Sequence, residues 1–119
     1  MQPTFLKDIV RVAKTDHLLW KWKVYNMMLG LETQENINGQ SHEHCRLGKW
    51  YYGDLPTQVK SRDTFKRLEE PHKEVHHYAK VEVEYYGKGD MVGVEQAFVQ
   101  LERVSNNVID LLNRLESEL

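Results

Sequence analysis

The sequence has 119 residues, 40% apolar and 29% charged, which is enough for one domain with a hydrophobic core and too apolar for a disordered chain. Its 16 Lys and Arg against 18 Asp and Glu leave a net charge of −2, which argues against a dedicated nucleic-acid surface. No apolar run approaches the roughly 20 residues that span a bilayer, and a single cysteine cannot form an internal disulfide.

The opening stretch, MQPTFLKDIVRVAKTD, has charges where the apolar region of a secretory signal would sit, so a cytoplasmic location is expected. From Leu6 the apolar series Leu6, Val10, Ala13, His17, Trp20, Val24, Met27 and Leu31 runs at spacings of four and three, which keeps it on one helix face. Gly30 to Gln40 is polar and rich in Asn and Gly, and reads as a connection. Ser41 suits the N-cap of a shorter helix from about 42 to 52, because its hydroxyl can accept a free backbone N–H. Gly53-Asp-Leu-Pro56 breaks the chain again, and 57 to 69 is expected to form one more short helix.

After the break expected at Glu70-Pro71, the series His72, His76, Ala79, Val83 and Tyr86 is again helical, with Pro71 tolerated in the first turn. Within it, VEVEYYG at 81 to 87 alternates like a strand but continues the helical stripe unbroken, so helix is the expectation. Gly87-Lys-Gly-Asp90 turns the chain into a last helix carrying Val94, Phe98, Leu101, Ser105, Val108, Leu112 and Leu115. The expected fold is all-α: a single domain over 1–119, an antiparallel four-helix-bundle-like arrangement with one or two short helices.

Three residues break the apolar stripes. His17 stands in the core face of the first helix, and His72 and His76 do so in the helix after Pro71. A buried ring nitrogen without a partner is costly, so each needs a hydrogen bond, a charge or a metal. Any one of them is accounted for by a carbonyl or a hydroxyl. Two of them four residues apart lie one turn apart on one side of a helix, where both rings can reach one ion.

Protein-bound zinc is most often held tetrahedrally by four Cys and His ligands. His17, His72 and His76 supply three imidazoles, and the only thiol, Cys45, can supply the fourth. Cys45 lies in SHEHCRLGKW, where His42 and His44 crowd it. On a helix His44 diverges from Cys45 by about 100°, which makes the two poor joint ligands. His42, three residues before Cys45, is a closer rival but sits at the helix start. Leu47 and Trp50 can bury, and Gly48 permits close helix approach.

Taken in order, His17-Leu-Leu-Trp20, Cys45-Arg-Leu-Gly-Lys-Trp50 and His72-Lys-Glu-Val-His76 resemble the H-x-x-W, C-x-L-G-x-W and H-x-x-x-H signature of the chemoreceptor zinc-binding domain, or CZB. The resemblance implies a helical bundle that often dimerises, with one Zn2+ held by His17, Cys45, His72 and His76. It also implies a cytosolic sensory or regulatory module without catalysis, attached to chemoreceptor or diguanylate cyclase domains. No signalling coiled coil or cyclase domain is present in this sequence, so an excised domain or a short stand-alone member is expected.

Two other readings compete. The first is a dimerisation bundle whose core histidines are metal-free. The second is an enzyme, but four protein ligands leave no open position for a reacting water. A di-iron carboxylate bundle needs paired Glu-x-x-His motifs, and Glu69 with His72 has no second pair. Asp16 and Glu69 are candidate partners to orient the imidazoles, and His77 is expected at the surface.

Overall fold

The computed structural model describes residues 5–31 and 46–119. Ser41, His42, His44 and Cys45 therefore lie outside the described residues. Three long helices dominate: α1 (Phe5–Met28), α5 (Glu69–Gly87) and α6 (Met91–Glu118). Among the described residues three short ones lie between the first two: α2 (Arg46–Tyr51), α3 (Thr57–Lys60) and α4 (Asp63–Arg67). Among the described residues there is no strand, and 81 to 87 completes α5 as the unbroken stripe requires.

The chain is all-α, and the long helices run antiparallel to their neighbours. α5 and α6 form a hairpin with the most extensive contact in the fold, and α1 lies along α6. The direction of α1 is fixed by cross-helix pairs, Arg11 with Glu116, Lys14 with Asn113, and Lys21 with Glu102. Residue numbers rise on one helix as they fall on the other. The Cα trace measures 53 × 20 × 18 Å, a rod whose width is that of packed helices.

The core follows the four-three spacing. Val10, Ala13, Val24 and Met27 of α1 meet Val75, Ala79 and Val83 of α5, with Leu101, Val104, Val108, Leu112 and Leu115 from α6. Leu31 is the exception and is 74% exposed. α1 stops at Met28, and Gly30 takes φ +75°, closing the helix with its N–H on the Met27 carbonyl. That left-handed step suits glycine, and it turns Leu31 away from the face its spacing predicted.

The segment 57 to 69 also departs from expectation. It forms two short helices rather than one, because Arg62 is extended at ψ 137° and interrupts the ladder. No break occurs at Glu70-Pro71. α5 begins at Glu69, so Pro71 falls among first-turn donors that have no intrahelical acceptor in any helix. Among the described residues the short helices are therefore α2, α3 and α4. At the other hairpin end, Gly89 at φ +72° makes the turn, and the Asp90 carboxylate accepts the Gly93 N–H at 3.0 Å to cap α6. Gly93 lies against the Tyr85 ring, where a Cβ would overlap it.

Candidate metal centre

The long helices place the inward histidines by their period. His17 is on the α1 face that buries Val10, Ala13 and Val24, and it is 5% exposed. His72 is buried in the first turns of α5, and His76 follows one turn later, half-buried. Their rings meet edge to face with centroids 5.0 Å apart. Two imidazoles on one tetrahedral zinc, with Zn–N bonds of about 2.0–2.1 Å, have ring centroids roughly 5 Å apart, so this pair has a fitting separation.

Trp20 joins the two helices. Its indole lies 4.8 Å from the His76 ring and 6.2 Å from the His17 ring, centroid to centroid. Its Nε1 is buried and finds no hydrogen-bond partner among the described residues. The His17 Nε2 pairs with the Ser105 hydroxyl of α6 at 2.9 Å. Burial pushes the His17 imidazole down to about 4, with the proximity of His76 and Lys21 adding to the effect. The ring is therefore neutral at physiological pH, which is the state a metal ligand requires.

Cys45 lies outside the described residues, but the helix that follows it is anchored. Leu47 and Gly48 of α2 are buried, and Trp50 packs edge-on against Phe65 at 5.8 Å. α2 rests on α1, the helix that carries His17. Among the described residues no three His, Cys, Asp or Glu side chains form a group that could hold a metal ion. The described part supplies one close pair, His72 with His76, and a third buried imidazole linked to it through Trp20. The burial and neutrality of His17, the burial of His72 and the spacing of the His72–His76 pair fit a zinc ligand set.

The other sequence candidates divide. His77 is exposed and packs on Tyr78, as its position around the helix requires. Glu69 is engaged elsewhere: its carboxylate accepts the Tyr52 hydroxyl at 3.0 Å and pairs with Lys73 at 3.6 Å. Three buried polar residues, Thr64, Ser105 and Glu82, were not read as such from the sequence. Ser105 passed as one member of an apolar stripe. Glu82 is fully buried, and neither carboxylate oxygen has a partner among the described residues. Its signal was available, since 79, 82 and 86 continue the inward face at spacings of three and four.

Comparison with known families matches residues 17–81 to the family model described as the chemoreceptor zinc-binding domain. No curated protein and no solved structure matches the chain.

Proposed function

The chain belongs to the chemoreceptor zinc-binding domain family, and from that membership we propose that it is a zinc-binding sensory or regulatory domain of a cytoplasmic bacterial signalling protein. Its ligands are His17, Cys45, His72 and His76, and its output is an attached or partner domain of the methyl-accepting or diguanylate cyclase type. No catalysis of its own is assigned. The observation that carries the reading is the pair of imidazoles buried by α1 and α5, His17 and His72, with His76 set beside His72 inside the matched segment.

When bound, zinc supplies a four-coordinate node and holds the cysteine as a thiolate. The chain's residues determine what that node joins. His72 and His76 belong to α5 and His17 to α1, so one ligand set spans two helices across Trp20. Cys45 directly precedes α2, whose own hold on the bundle includes Leu47, Trp50 and Tyr51, the last stacked on Phe65 at 4.2 Å. Oxidation of the Cys45 thiolate, or loss of the metal, would leave α2 to the contacts of its own residues and free it to change its packing.

A homodimer is part of the proposal. Leu18 and Trp22 of α1, and Leu29 just past its end, lie at spacings of four and seven and are 46%, 64% and 70% exposed, with Leu19 beside them at 58%. These exposed apolar side chains on one stretch of the chain support a face for a second copy.

A second reading, a dimerisation bundle with metal-free core histidines, is favoured by the His17–Ser105 hydrogen bond, which already satisfies one ring nitrogen. Zinc titration with elemental analysis separates the two. The expected result is one zinc per chain in the wild type, with marked loss of affinity in His17→Ala, Cys45→Ala, His72→Ala and His76→Ala. No stoichiometric uptake by the wild type would leave the plain bundle standing. Unchanged affinity in Cys45→Ala would remove the thiolate from the set. Hydrogen exchange over 41–52, with and without metal, tests release of the α2 segment, and equal protection refutes it.

A further inference from the structure

Ser105 stands in a stripe that is otherwise apolar. Leu101, Val104, Val108 and Leu112 around it on α6 are all buried, and Ser105 itself is 1% exposed. A hydroxyl placed there costs free energy unless it is hydrogen-bonded. Its Oγ lies 2.9 Å from the His17 Nε2, 88 residues away in sequence. It also lies beyond the segment that matches the family, residues 17–81.

An imidazole that binds a metal through one nitrogen commonly donates its other N–H to an outer partner, which sets both tautomer and ring orientation. With Nε2 engaged by Ser105, the nitrogen left on His17 is Nδ1. We propose that Ser105 is a positioning residue for His17, accepting the Nε2–H and leaving Nδ1 as the nitrogen presented to the metal. This rests on the zinc-binding reading above and adds α6 to the helices that the metal centre reports on. A shift of α6 against α1 would then reorient a ligand without touching the metal directly.

Imidazole 15N correlation spectra test the assignment in the metal-free and zinc-loaded wild type. The metal-free protein is expected to show His17 as the Nε2–H tautomer. On loading, the Nδ1 resonance of His17 should move while Nε2 keeps its proton. Ser105→Ala should lose that tautomer preference and bind zinc about 10-fold more weakly, the low end of what outer partners contribute. Ser105→Thr, which keeps the hydroxyl, should retain the tautomer preference and much of the affinity. Zinc uptake with His17 bound through Nε2, or with affinity unchanged in Ser105→Ala, overturns the role of Ser105 and leaves the zinc reading intact. Absence of uptake by the wild type overturns both. The wild-type spectra decide the coordinating nitrogen even if a variant folds poorly.

Discussion

Glu82 gives the sharpest test of how this core is built. Its side chain is fully buried on α5, and both carboxylate oxygens lack partners among the described residues. Burial pushes its pKa up from 4.5 to about 8. The acid is therefore neutral in the fold at pH 7 and ionised in the unfolded chain. Because the folded pKa is the higher one, this group costs nothing well below pH 4.5, costs progressively more from 4.5 to about 8, and adds nothing further above that. At about 1.4 kcal/mol per pKa unit, the penalty is about 3 kcal/mol at pH 7 and about 5 kcal/mol above pH 8.

Glu82→Gln keeps the shape and removes the titration. Its buried amide carries its own cost, on the order of 1–3 kcal/mol, but that cost does not change with pH. The informative quantity is the variant's stability minus the wild type's. Urea unfolding followed by circular dichroism, on metal-free protein in chelator, gives it at each pH. Every group other than residue 82 is common to both chains, so its contribution cancels. The difference is expected to rise by about 3 kcal/mol between pH 4 and pH 7 in favour of the glutamine variant. A difference that stays constant to within about 0.5 kcal/mol would show that Glu82 is ionised or solvated in the fold, and the reasoning from burial would fail.

Gly93→Ala should destabilise by about 1–3 kcal/mol, because the new methyl overlaps the Tyr85 ring and this outweighs the roughly 1 kcal/mol gained in helix propensity. In a Tyr85→Ala background most of that loss should vanish, and a melting-temperature cycle reads the coupling. Asp90→Ala removes the carboxylate that caps α6 and should cost about 1 kcal/mol in chemical denaturation, while Asp90→Asn should cost little. Removal of zinc should lower the melting temperature by an amount that grows with the free zinc used in the reference, as binding linkage requires. A melting temperature indifferent to zinc would contradict the metal reading. Trp22→Glu should shift the protein toward monomer in sedimentation analysis without lowering its helix content, since Trp22 is 64% exposed.

Much of this protein is legible one helix at a time. The spacing of Val10, Ala13, His17 and Val24, and that of Val94, Leu101, Val108 and Leu115, placed those residues inward without knowledge of any neighbour, because a 3.6-residue period is a property of one helix alone. The inward histidines were visible for the same reason, as polar residues at apolar beats. Punctuation was less certain. Leu31 obeyed the spacing but not the fold, because a single left-handed glycine ended α1 before it. Arg62 split a segment that propensity alone would have kept whole. What each buried polar group meets was beyond the sequence. The partner of His17 is a serine 88 residues away, and it is known only once α1 and α6 lie side by side. Glu82 has no hydrogen-bond partner among the described residues, an outcome that depends on how the helices pack around it. Periodicity decides which way a side chain points; only packing decides what it touches, and hydrogen bonding, proton affinity and ligand sets are all properties of contact.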